Sequence, residues 1–167
     1  MKKIFRKILL FLLLALLIIQ FIRPEKNLSS LSSNSEISKI YIIPDSVMQI
    51  LKVACYDCHS NNTRYPWYAK IQPVYWWLSD HIDEGKKGLN FSEFATYSIR
   101  KQYDRMEGIS ELVKKEEMPL SSYRWIHQDA RLNDKQKQAI ISWASNIHDT
   151  LKSRYPTDSL IKKPRDL

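Results

Sequence analysis

Only two cysteines occur in the 167 residues, and they stand three positions apart with a histidine directly behind the second: Cys55-Tyr56-Asp57-Cys58-His59. No other feature limits the chain as much. On a helical turn, residues i and i+3 share a face, so both sulfurs are presented to one side and an imidazole follows them. A C-x-x-C-H run reads as an attachment site for a c-type haem. The two sulfurs add across the vinyl groups on one edge of a porphyrin and leave thioether bonds. The His59 ring then swings under the iron as proximal ligand, a usual role for neutral imidazole.

Three other chemistries use such cysteines. Structural zinc needs four ligands, often as two separated pairs; with no third cysteine, a Cys2His2 site would need His59 and a distant histidine. A thioredoxin-like C-x-x-C opens a helix within a βαβ pattern, whereas this one falls at a helix end among helical patterns. A plain disulfide suits an oxidising compartment but leaves His59 without a role. Haem attachment accounts for all three residues.

Lys2, Lys3, Arg6 and Lys7 precede Ile8–Ile22, a stretch with no charge and one polar residue, Gln20. Counted with Ile4 and Phe5, the apolar run is expected to cross the ~30 Å of a bilayer at ~1.5 Å per residue. Its flanking charges favour an N-inside orientation. A cleaved signal peptide would end in small residues, but the chain continues Gln20-Phe21-Ile22-Arg23-Pro24. Residues 1–24 are therefore expected to be an uncleaved anchor in a bacterial inner membrane, with the remainder in the periplasm. The same segment carries five of the eight net positive charges. What remains alternates in sign, as in Lys114-Lys115-Glu116-Glu117, which is a solvated helix face and not a nucleic-acid surface.

The rest reads as helical. Residues 25–39 are Ser-rich without apolar period, a tether. The domain is expected over residues 40–152, with a polar tail at 153–167. Asp45 caps a helix bearing Val47, Ile50, Leu51, Ala54, Cys55 and Cys58 at 3.6-residue spacing. Pro73 opens a short helix through Trp76, Trp77 and His81, and Gly85 and Gly88 punctuate the loop after it. Asn90 with Glu93 fits a capping box for a long polar helix through Phe94, Tyr97, Met106, Ile109 and Leu112, which Met118-Pro119 ends. Asn133 with Gln136 starts the last helix, with a stripe of Ile140, Trp143, Ala144, Ile147 and Leu151. Nothing alternates with period two for long.

The run from Cys55 through Ser60-Asn61-Asn62-Thr63-Arg64-Tyr65-Pro66-Trp67-Tyr68 resembles the bacterial haem-binding domain family found in many Bacteroidetes proteins. So do Pro73, His81 to Ser92, Glu117-Met118-Pro119-Leu120, Tyr123, His127 and the Leu132–Trp143 helix. Lys86-Lys87 stands in place of an expected Gly-Arg pair, and Phe94 in place of Trp. The resemblance implies an all-α, cytochrome-c-like helical haem domain, here on an N-terminal transmembrane helix.

Met118-Pro119 is similar to the Met-Pro pair that supplies the distal iron ligand in many small cytochromes c, where a thioether raises the reduction potential. His81 is the alternative distal ligand. Arg64, with Asn61 and Asn62, is a candidate for the haem propionates. Trp67, with Tyr68, Trp76 and Trp77, lines either pocket or core. His127 and His148 are assigned to the surface or to supporting positions. The expected function is single-haem electron transfer to a redox partner protein, covalent haem c being the cofactor. The alternative is a gas or redox sensor, or a peroxidase-like enzyme, with an open distal side. No Ser-His-Asp order, paired carboxylates or Gly-rich phosphate loop points to another enzyme.

Overall fold

Residues 1–29 and 34–161 are described by a computed structural model. Among them there is no strand, only an antiparallel bridge between Leu28 and Asn62. The helices are α1 (Lys2–Ile19), α2 (Asp45–Ala54), α3 (Tyr56–His59), α4 (Val74–Gly88), α5 (Ile99–Lys114), α6 (Ser121–Ile126), α7 (Asp134–Arg154) and α8 (Thr157–Leu160), with 3-10 turns between several of them.

The expected transmembrane helix is not there. No helix among the described residues is long and apolar enough to cross a membrane. Helix α1 ends at Ile19 and includes Lys2, Lys3, Arg6 and Lys7. Its uncharged part, Ile8–Ile19, spans roughly 18 Å at 1.5 Å per residue, against ~30 Å of hydrocarbon. The residues needed to lengthen it are tied to the protein instead. The Gln20 side chain donates to Gln72 O (3.2 Å) and accepts from Gln72 N (2.9 Å). Ile22 O accepts from Gln72 Nε2 (3.1 Å) and Trp76 Nε1 (2.7 Å).

Helices α5 and α7 pack antiparallel: Tyr103 stacks on His148 (4.1 Å), Ser110 Oγ meets Ser145 Oγ (3.2 Å), and Glu116 pairs with Lys137. Against this pair lies the stripe Val47, Leu51 of α2 with Phe91 and Phe94, closing a core around Met106, Trp143, Ala144, Ile147 and Leu151. Asn133 and Gln136 form the anticipated capping box, each side chain accepting from the other's backbone N–H at 2.9 Å. A second, smaller core joins Tyr68 and Ala69 to Tyr75, Leu78 and Ile82 of α4. Cys55 packs on the first core and Cys58 on the second, so the C-x-x-C-H run lies at the seam.

The long polar helix is divided. Asn90 caps a 3-10 turn, Phe91–Thr96, and a new cap at Ser98, accepting from Lys101 N, starts α5. Packing begins ahead of residue 40, because Ile37 is fully buried in the main core. Residues 30–33 of the expected tether and 162–167 of the expected tail lie outside the described residues. The tail before them is ordered by α8, which buries Leu160.

Candidate functional site

The helix expected to run through both cysteines breaks at Cys55, where φ is −128°, and restarts as α3. Cys55 O anchors the new turn, accepting from Cys58 N (3.2 Å) and His59 N (3.0 Å). Helix α4 lies hard against it. A Cβ on Gly85 would stand 2.7 Å from Cys58 O and 3.1 Å from Cys58 Cβ, so only glycine permits this approach. Gly85 and Gly88 thus belong to α4 and not to a loop after it.

The contact fixes the histidine. His59 Nδ1 lies 2.9 Å from Gly85 O and 3.0 Å from Leu89 O. Both oxygens can only accept, so Nδ1 carries the proton and Nε2 keeps its lone pair. Burial lowers the His59 pKa and favours this neutral ring. Burial also pushes the Cys55 thiol up to about 12 and the Cys58 thiol up to about 11, with added repulsion from Cys58 and Asp57 respectively. Both sulfurs are free neutral thiols, unlike the depressed thiolates of redox or metal sites.

Asp57, between the cysteines, is 6% exposed. Its carboxylate accepts from Tyr123 Oη (2.7 Å), Arg64 N (3.1 Å) and Arg64 Nε (3.1 Å). Tyr123 stacks on His127, whose Nε2 meets Tyr68 Oη at 2.7 Å. This network holds α3 in place.

In front of α3 lies a cavity of about 500 Å³, within the usual range for small-molecule sites. Cys55, Cys58 and His59 line it, as do His81 and Gly88 of α4, and Gly108, Ile109 and Leu112 of α5. Helix α5 is ended by Glu116 at φ 59°, with Glu117 N and Met118 N both returning to Leu112 O (3.0 and 3.2 Å). That reversal carries Met118, half-buried, to the cavity wall.

Residues 14–146, about four-fifths of the chain, match the family described as the haem-binding domain. The chain belongs to that family. No curated protein and no solved structure matches it.

The haem-binding domain has room for its cofactor in this cavity. Gly88 and Gly108 both line it, and a Cβ on either would meet nothing within 4 Å. A glycine inside a helix costs about 1 kcal/mol relative to alanine; no protein atom near Gly108 requires one, whereas a flat ring approaching α5 would. His59 Nε2 has no hydrogen bond among the described residues, which suits an iron ligand. No three His, Cys, Asp or Glu side chains among these residues converge as a metal cluster, so a tetrahedral zinc set is not assembled around Cys55 and Cys58.

The structure thus brings Cys55, Cys58, His59, Met118 and His81 to one cavity and leaves the other two candidates outside it. Arg64 is not among the lining residues; its side chain, 61% exposed, is held by the Asp57 carboxylate. Trp67 is 73% exposed. Asn61 and Asn62 hold neighbouring turns, through Asn90, Glu93 and Ser29. Gly85, Asp57 and Arg105, the last also in the cavity lining, were not anticipated. Asp57 is within the motif, but Gly85 is recognised only through its contact with Cys58. Arg105, in a run of alternating charges, gives no local signal.

Proposed function

We propose that this haem-binding domain carries one covalently attached haem c and serves as an electron carrier. The observation that carries the reading is the convergence of Cys55, Cys58, His59 and Met118 on one cavity with an apolar lining. A bound haem would supply a one-electron iron couple. The protein's part is to hold it still. Cys55 and Cys58, each S–H adding across a vinyl double bond with no leaving group, tie it to the seam between the two cores. His59 offers Nε2 in a fixed tautomer, because the Gly85 and Leu89 carbonyls hold Nδ1–H. Such a partner also makes the imidazole a better donor. Met118 would supply the second iron ligand, and Ile109, Leu112 and Val113 would keep water away. A thioether there sets a higher potential than a second histidine. The basic-then-apolar N-terminus supports export to a periplasm, where another redox protein is the partner.

Spectroscopy of the holoprotein tests this. The oxidised form should show the weak far-red sulfur-to-iron band. Met118→Ala should abolish it, lower the potential and open the reduced iron to carbon monoxide. Rapid carbon monoxide binding by the unaltered protein would instead favour sensing or peroxidase-like chemistry at an open distal side. Should Met118→Ala change nothing while His81→Ala opens the iron, the distal ligand is His81, which also lines the cavity.

A further inference from the structure

Arg105 is the single Lys or Arg among the described residues that line the cavity. It begins the stripe by which α5 faces that space: Arg105, Gly108, Ile109, Leu112 and Val113, at i, i+3, i+4, i+7 and i+8. The other four are glycine or aliphatic. Its Nε is buried and has no hydrogen-bond partner, and the ion pairs among the described residues leave it out. Buried charged donors without an acceptor are rare, because each loses its hydration without return. The acids at the same cavity, Asp57, Asp80 and Glu84, do not fill the gap: Asp57 is engaged by Arg64 and Tyr123, and Asp80 and Glu84 belong to α4, Glu84 paired with Lys87. An anion entering the cavity is repelled from these three and has one cation to meet.

We propose that Arg105 is the carboxylate-binding residue of the site and pairs with a propionate of the haem. The inference rests on the haem reading and goes beyond it by assigning how the macrocycle is oriented. A guanidinium suits the task, since its planar fork binds a carboxylate through two parallel charge-assisted bonds. The pair would orient the ring by its acidic edge, toward the N-terminal part of the α5 stripe.

The test uses the full chain with Cys55→Ala and Cys58→Ala, so that haem binds reversibly through His59. Ferric haem and its dimethyl ester, which lacks the carboxylates, are titrated in parallel by their Soret bands. The parent should prefer haem over the ester by about tenfold, equivalent to ~1.4 kcal/mol. Adding Arg105→Gln should erase that preference by weakening haem alone, and Arg105→Lys should restore part of it. An undiminished preference in Arg105→Gln, or none in the parent, overturns the proposal while the haem reading stands. If neither porphyrin gives a His59-dependent Soret shift, and maturation of the unaltered chain yields no holoprotein, both fall. Should Arg105→Gln fail to fold, the covalent holoprotein with Arg105→Lys gives a second readout: the propionate ionisation seen in the pH profile of its midpoint potential should move relative to the parent. An unmoved profile counts against Arg105.

Discussion

The two walls of the cavity are built differently. The α3–α4 wall is tight around the motif, with open space only at Gly88: Gly85 lets two backbones touch, two carbonyls hold His59, and Asp57 anchors α3 through Tyr123 and Arg64. The α5 wall is loose by comparison. Gly108 faces open space, Arg105 has an unmet donor, and Met118 hangs from a helix end made by a left-handed residue. One wall is organised before a ligand arrives, and the other is completed by it. On the proposed reading, attachment and proximal ligation would thereby be separated from distal ligation, which a small change would retune.

The largest expected effect concerns the thiols of the tight wall. In the apoprotein at pH 8, Cys58 at about 11 and Cys55 at about 12 hold roughly a hundredfold and roughly a thousandfold less thiolate, respectively, than a cysteine near the ordinary value. Iodoacetamide should react correspondingly slowly until the chain is unfolded in urea. The sign for stability follows. The folded state binds these protons more tightly, so stability is full below pH 9 and falls as pH rises through 11 to 12. Replacing both cysteines with alanine should flatten that fall. Fast labelling of the native apoprotein would mean that this wall is open.

Next comes Asp57→Ala. Because Arg64 is mostly exposed, its ion pair contributes little. The loss should arise from the buried bond to Tyr123 and reach about 2–3 kcal/mol in urea denaturation. A change under 1 kcal/mol would show that α3 does not depend on Asp57.

The glycines give the sharpest contrast with the smallest numbers. Gly85→Ala should destabilise the apoprotein by about 1–2 kcal/mol, since overpacking outweighs helix propensity. Gly108→Ala should stabilise it by about 0.5–1 kcal/mol and yet reduce haem incorporation. If both substitutions shift the melting curve in the same direction, the distinction between the walls is lost.

What was legible beforehand follows the range of the interactions. The C-x-x-C-H run stands out because its three residues lie close together in sequence, and the structure brings all three to one cavity. Helix α7 does so because Asn133, Gln136 and the stripe from Ile140 to Leu151 are all local signals. The break at Ser98 went unseen because no Gly or Pro marks it. The burial of Ile37 was hidden among serines, since one apolar residue has no period. The α1 span was misjudged through its last residues. Phe21 and Ile22 extend the apolar run on paper, but Gln20 and Ile22 bond to Gln72 and Trp76, some fifty residues away. Gly85 on Cys58 and Arg105 at the cavity are likewise tertiary facts, which no window along the chain contains.

The central claim is covalent haem at Cys55 and Cys58 with His59 beneath it. It is tested most directly by producing the chain in a host with a c-type maturation system and extracting it with acid–acetone. Haem should remain with the polypeptide, and replacement of both cysteines by alanine should release it to the solvent. Haem that extracts from the unaltered chain, or its absence while the host's own c-type cytochromes mature, would contradict the account.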